Sequence, residues 1–332
     1  MRGRLRIPAE WERHACVWLA FPHVGAEWPS GLTGPQRSIA ELARTIAEVG
    51  AEPVRLLVTD GAHEDRARRW VGEVDGVEYV TAQYGDCWTR DTLPLFGVTD
   101  EGELGAARFQ FNGWGGKFPI PGDDTVGRDV AMRADAVDRP IAMCLEGGAL
   151  DFNGDGICLT TRSCLLNSNR NPGLTERQAA EALRTTFEAD SIIWLTRGLE
   201  HDHTDGHVDN VARFINADTV AVTEAPPGGP NLETLQRVMR ELEDAGLRVF
   251  PLPSPGRILA DDGSPLPATY CNFYVANDAV IFPSYGVAQD EEAAARLRDA
   301  FPNRTVVGLS AKGLLSGGGA IHCVTQPQPW LP

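Results

Sequence analysis

Apolar residues recur along this chain in two rhythms that alternate from one end to the other. Over 37–48, Ile39, Leu42, Ala43 and Ile46 share one stripe of a 3.6-residue period just after Pro35, which predicts an amphipathic helix. Leu232, Leu235, Val238 and Leu242 make a second stripe over 232–245, with Asn231 placed to cap its start and Gly246 its end. Thr175 and Gln178 read as a capping box that opens a helix over 176–189. Residues 291–301 run from Asp290 to Pro302 as a further helix, and 62–73 and 125–134 add two more. Between them lie short runs rich in Val, Ile and aromatic residues, which predict strands at 15–21, 54–58, 77–81, 106–111, 156–160, 191–195, 219–223, 247–251, 279–282 and 305–308.

The alternation has a period. Strands after the last three strong helices begin near 191, 247 and 305, separations of 56 and 58 residues. The segments before those helices begin near 145, 207 and 270, separations of 62 and 63. A hairpin–helix–strand unit of about 60 residues, repeated five times, accounts for most of the chain. The segment 320–326 has no helix after it, and strand 15–21 has no partner before it, so pairing the two closes a ring. On periodicity alone an open doubly wound sheet explains the pattern equally well. No low-complexity linker divides the sequence, and the Pro-rich stretches 225–230 and 251–267 read as loops of one domain over 1–332.

Charge narrows the partners. Lys plus Arg number 30 against 46 Asp plus Glu, a formal charge of −16 in 332 residues. That balance argues against nucleic acid or an anionic membrane and is compatible with a small cationic substrate. Seven cysteines without a CxxC pair fit a reducing, cytoplasmic setting better than a disulfide scaffold. No apolar run approaches a membrane span, and Met1-Arg-Gly-Arg lacks a signal-peptide core, so neither spanning nor secretion is expected.

Four polar clusters could carry chemistry. His201, His203 and Asp205 resemble the opening of a metallo-β-lactamase zinc site, although Gly206 stands where that site needs histidine. Read instead from His207, a strand would put His207 and Asp209 on one face, a base and a carboxylate suited to proton transfer beside a cation. Gly317-Gly-Gly-Ala-Ile-His-Cys323 offers a thiol behind a glycine loop that lets a ligand approach the backbone. Asp86-Cys-Trp88-Thr-Arg90-Asp91, followed by Phe111-Asn-Gly-Trp114, sets carboxylates beside indole rings, and both attract a guanidinium or ammonium. Leu145-Glu146-Gly-Gly places a carboxylate on a glycine turn. The competing bland readings are a solvated polar loop, a buried structural thiol, a core tryptophan and a hairpin corner.

These segments, with Pro8-Ala-Glu-Trp11-Glu, Trp18-Leu-Ala-Phe-Pro22-His, Leu166-Asn-Ser-Asn-Arg170-Asn-Pro and Tyr270-Cys-Asn272-Phe-Tyr, resemble the agmatine deiminase and bacterial peptidyl-arginine deiminase family nearly end to end. The resemblance implies a pentein, a five-bladed pseudo-symmetric α/β propeller of repeated ββαβ units. It implies Cys323 as nucleophile, His207 as acid and base, and Asp91 and Asp209 as ligands of the guanidinium, with no metal or organic cofactor. Trp88 and Trp114 would wall the substrate chain, Asn272 would position the loop, and Glu146 would orient His207 or close a hydrogen-bond network. The implied reaction is hydrolysis of a small cationic guanidine, agmatine to N-carbamoylputrescine, by a hydrolase of linear amidines; a homo-oligomer is compatible with this.

Ala320, His203, Asp151 and Leu93 depart from the family pattern, where Asn, an acidic residue, His and Gly are usual. Without an acid at 203 an ammonium tail loses its counter-charge, so peptidyl or free arginine remain alternative substrates. A non-catalytic pentein binding protein and a zinc hydrolase are the rivals from other classes.

Overall fold

The computed structural model describes residues 3–260 and 262–331. Its strands form five sheets among the described residues. The first holds β1 (His14–Ala20), β2 (Val54–Val58) and β3 (Val77–Thr81). The second holds β4 (Leu95–Val98), β5 (Leu104–Gln110) and β6 (Val137–Cys144), and the third β7 (Leu150–Phe152), β8 (Ile157–Thr161) and β9 (Ser191–Leu195). In the fourth are β10 (Ala212–Asn216), β11 (Thr219–Glu224) and β12 (Arg248–Pro253). In the fifth are β13 (Tyr274–Val275), β14 (Ala279–Ser284) and β15 (Thr305–Ser310). Each of the last four sheets is an antiparallel hairpin followed through a helix by a parallel strand.

The first sheet follows the same plan with its opening strand taken from the far end of the sequence. β16 (Gln326–Pro329) lies antiparallel on β1, with Trp18 opposite Gln326 and His14 opposite Pro329. The paired strand thus begins at the end of the segment expected to provide it. Residues 322–324 instead form a 3-10 turn, and the prolines of Gln-Pro-Gln-Pro are tolerated because β16 is an edge strand.

The helices form where the periodicity put them, and for the same reason. Helix Thr33–Glu48 buries Ile39, Leu42, Ala43 and Ile46 against β1 and β2, each large side chain contributing about 1.5–3 kcal/mol by leaving water. Helix Leu232–Asp244 buries Leu235, Val238 and Leu242, and helix Glu176–Thr186 opens with the Thr175–Gln178 capping box. Asn231 differs from expectation. It adopts a left-handed φ of 59° and accepts the Glu200 N–H at 2.7 Å instead of capping its own helix. No described helix is long and apolar enough to cross a membrane.

Candidate active site

The candidate groups sit in turns that immediately precede the first strand of a sheet. Asp91 lies in the short turn Thr89–Thr92 before β4, and Glu146 and Gly148 in the turn before β7. His207 and Asp209 flank Val208 in the turn before β10. Asn272 precedes β13, and Cys323 lies in the turn before β16. The repeat of the fold therefore carries each group to one centre. The strand alternation expected for His207 and Asp209 is corrected: Val208–Asn210 is a 3-10 turn, and it is the bend of the backbone that turns both side chains inward.

That centre is crowded. A Cβ on Gly148 would lie 2.6 Å from His207 Nδ1, 2.9 Å from Asp91 Oδ1 and 3.1 Å from Asp209 Oδ2, so only glycine leaves the groups free to meet. Asp91 is oriented by the Trp114 indole N–H, which donates at 2.8 Å, and by the Gly148 N–H at 3.0 Å. His207 Nε2 faces Glu146 Oε2 at 3.2 Å, and Arg170 Nε donates to the other Glu146 oxygen at 2.7 Å. Glu146 thus orients the imidazole. His207 Nδ1 and Asp209 Oδ1 are buried with no hydrogen-bond partner among the described residues, Nδ1 lying 3.7 Å from Asp91 Oδ1.

Cys323 is held from one side by Asn272. The amide Nδ2 donates to Sγ at 3.2 Å and to Asn210 Oδ1 at 2.9 Å, while Asn272 Oδ1 accepts the His322 N–H at 2.9 Å and the Cys323 N–H at 3.3 Å. Asp209 Oδ2 lies 3.8 Å from Sγ. Burial, reinforced by Asp209 and Asp91, pushes the Cys323 thiol well above the ordinary range and favours its protonated form. Burial also lifts Asp91 to about 6, with His207 drawing it down and Asp209 and Glu146 adding to the rise. For His207, burial opposes the charged ring, yet Asp91, Cys164 and Glu146 outweigh it and hold the imidazolium. Burial likewise opposes ionisation of Asp209, and the bond and charge of His322 bring its carboxyl below the usual range.

Beneath the site lies a charge network that sequence reasoning missed. His322 presents Nδ1 to Asp209 Oδ2 at 2.7 Å and Nε2 to Glu10 Oε2 at 2.9 Å. Glu10 also receives Arg90 Nη2 and Arg213 Nη2, each at 2.9 Å. The signal was present in Pro8-Ala-Glu-Trp and Ile-His-Cys, where both residues stand beside recognisable neighbours. Only the fold shows that 312 positions of sequence separate two side chains in contact.

Above Cys323 opens a cavity of about 220 Å³ lined by Asp86, Trp88, Asp91, Trp114, His203, Glu27 and the glycines 317–319. Trp88 and Trp114 wall it, and Trp88 Nε1 donates to Asp86 at 3.0 Å. No Lys or Arg is among its described lining residues. Arg90, Arg170 and Arg213 are instead engaged by Glu10, by Glu146 with Asp205, and by Asp151 with Glu10. Of the four departures only His203 lines this cavity. Asp151 binds Arg213 at 2.9 Å and borders a different cavity, so its identity is not felt by a ligand over Cys323.

The zinc reading fails on geometry. Among the described residues His201, His203 and Asp205 do not bring ligand atoms together, and Asp205 is bound by Lys117 and Arg170. Glu146, Cys164 and His207 do approach within 4.8 Å of one another. A metal ion there would sit against the buried Arg170 guanidinium, whose charge disfavours a second cation.

The repeated sheets and the buried Cys–His–carboxylate set at their strand starts define the pentein class of guanidino-modifying proteins. The fold matches DDAH from Pseudomonas aeruginosa at a TM-score of 0.54 and 13% identity, over 95% of this chain and 99% of that one. The model of the Porphyromonas-type peptidyl-arginine deiminase family matches residues 6–329, and the chain belongs to that family. It is 35% identical to agmatine deiminase of Pseudomonas aeruginosa (strain UCBPP-PA14), over 98% of this chain and 95% of the relative. A Cys-to-Ser variant of C. jejuni agmatine deiminase with substrate bound is 31% identical, with a TM-score of 0.91 over 98% of this chain and 97% of that one.

Proposed function

We propose that this protein hydrolyses the guanidinium group of agmatine to N-carbamoylputrescine and ammonia, with Cys323 as nucleophile. The observation that carries the reading is the convergence of Asp91, His207 and Asp209 over Gly148, next to an aromatic cavity that Asp91 and Cys323 line. Asp91 and Asp209 accept the guanidinium N–H groups as planar, charge-assisted hydrogen bonds. Burial, with Asp209 and Asp91, holds the thiol protonated; the arriving cation offsets the two carboxylates, and the thiol loses its proton to solvent as the substrate binds, giving the thiolate.

The thiolate then adds to the guanidinium carbon, forming an S–C bond. His207 gives its proton to one nitrogen, and the C–N bond breaks to release ammonia and leave a thiouronium. Neutral His207 next takes a proton from water as the water oxygen adds to the same carbon. Collapse of that adduct breaks the S–C bond as the hydroxyl proton passes to sulfur, which leaves the neutral ureido product and restores the thiol beside a protonated His207. Glu146 and Asn272 act as positioning residues for His207 and Cys323 respectively.

Free arginine and C-terminal peptidyl arginine are disfavoured because their carboxylates would enter a cavity that carries acidic residues and no described Lys or Arg. The same reading takes residues 1–332 as one catalytic domain, a ring of five units closed by β16 on β1. The buried free cysteines support a reducing, cytoplasmic setting. The test is a colorimetric ureido assay across agmatine, arginine and Arg-ending peptides. Agmatine should give product, and Cys323→Ala should abolish it while circular dichroism stays unchanged. Turnover by the alanine variant refutes the mechanism.

A further inference from the structure

We infer that Glu27 holds the cationic tail of the substrate at the cavity mouth and so sets the preference for a guanidine bearing a second positive charge. The inference rests on the proposed hydrolysis and adds to it the residue that reads the far end of the substrate.

Glu27 closes the 3-10 turn Gly25–Glu27 and lines the same cavity as Asp91 and Cys323. Its backbone is fixed from the next residue onward. Trp28 stacks on Trp88 with ring centroids 5.6 Å apart, and its indole N–H donates to Asp86 at 3.3 Å. The Glu27 carboxylate itself, half-buried, has no hydrogen-bond or ion-pair partner among the described residues.

The other acids of the cavity are engaged. Asp91 belongs to the guanidinium end, and Asp86 is buried, accepting the indole N–H groups of Trp28 and Trp88 and the Cys87 N–H. His203 is exposed at the mouth, tilted against Phe118 at 5.8 Å, and carries no anion to offer. An ammonium leaving the aromatic walls therefore meets one carboxylate that has nothing else to bind. A neutral tail gains nothing from Glu27, and a carboxylate tail is repelled.

The test compares agmatine with n-pentylguanidine, in which a methyl replaces the ammonium. Glu27→Gln should lower kcat/KM for agmatine about five- to tenfold, the loss of one partly solvated ion pair in a cavity, and leave n-pentylguanidine within about twofold. The loss should fall on KM with kcat kept, because the tail is bound equally in ground and transition states. Adding His203→Glu to Glu27→Gln should restore part of the agmatine preference. An unchanged ratio of the two substrates in Glu27→Gln, with both turned over, refutes this assignment and leaves the hydrolysis standing. Product from neither guanidine with the unaltered protein refutes the hydrolysis, and the assignment falls with it.

Discussion

Gly148→Ala isolates the geometry on which the mechanism depends. The glycine has no positive φ, so alanine is allowed by the backbone, and the whole effect comes from one added carbon. That carbon would stand 2.6 Å from His207 Nδ1 and 2.9 Å from Asp91 Oδ1, where ordinary contacts begin near 3.4 Å. Those two groups must retreat by several tenths of an ångström to nearly one. Neither yields easily, since Glu146 holds His207 and Trp114 holds Asp91. A displacement of that size at reacting groups costs about 100-fold in rate, or ~2.7 kcal/mol of barrier. The overpacking itself costs about 1–3 kcal/mol of stability, leaving a chain of this size folded. Steady-state ureido assays should show kcat/KM for agmatine reduced by about two orders of magnitude, with the thermal midpoint lowered by only a few degrees. Gly61→Ala, where an added carbon meets nothing within 4 Å, is the control and should match the unaltered protein. Activity of Gly148→Ala within about threefold of that control, with the fold intact, would refute the claim that these groups act from the positions described.

In the proposed reaction Asp91 is the group that confers sensitivity to acid. Only its ionised form binds the guanidinium, and its carboxyl is lifted to about 6, so kcat/KM should rise with pH through that value and Asp91→Asn should lose the limb. The same lift fixes the sign for stability. The protonated form favours the folded state, so its contribution is complete below the ordinary 3.8 and lost as pH rises through about 6. Stabilisation by a bound guanidine, measured as a shift in thermal midpoint, should therefore grow over that window; a pH-independent shift counts against Asp91 as the ligand. Asn272→Ala strands the Cys323 N–H that its Oδ1 now accepts, while the His322 N–H keeps the Asn272 carbonyl at 3.1 Å, and should cost about 1–3 kcal/mol in denaturant unfolding. Asn272→Asp, which keeps the acceptor and loses the donor to Sγ, should recover most of that stability without recovering kcat.

Much of the fold was legible because each helix and most parallel strands are bounded by their own turn chemistry and carry their own apolar pattern. Val54–Val58 and Thr305–Ser310 read as strands from short runs of Val with Leu or Thr. The hairpin strands that open the repeats were not legible. β7 and β13 are three and two residues long, and β10 carries Arg213, whose charge makes sense only against Asp151 and Glu10; β6, the parallel strand of its sheet, is interrupted in pattern by Pro140. The site divides in the same way. Asp91, His207, Asp209 and Cys323 stand in motifs dense enough to be singled out, and the structure brings them to one centre. His322, Glu10 and Arg213 could not be assigned to that centre, because pairing charges across the ring is a property of tertiary contact and not of local pattern.

The pairing of β16 with β1 has a consequence for how the protein comes into being. A chain extended on the ribosome only to residue 320 already holds Asp91, His207 and Asp209, but neither Cys323 nor the strand that lies beside Trp18. Until residues 326–329 emerge, the outer side of β1 presents unpaired backbone groups to whatever strand it meets. Cys323, the proposed nucleophile, and the covering of that edge arrive within the same few residues. Emergence of residues 323–329 thus brings in Cys323 and removes the aggregation hazard together, and the β1–β16 contact joins positions more than 300 residues apart, so it should be the slow step of folding.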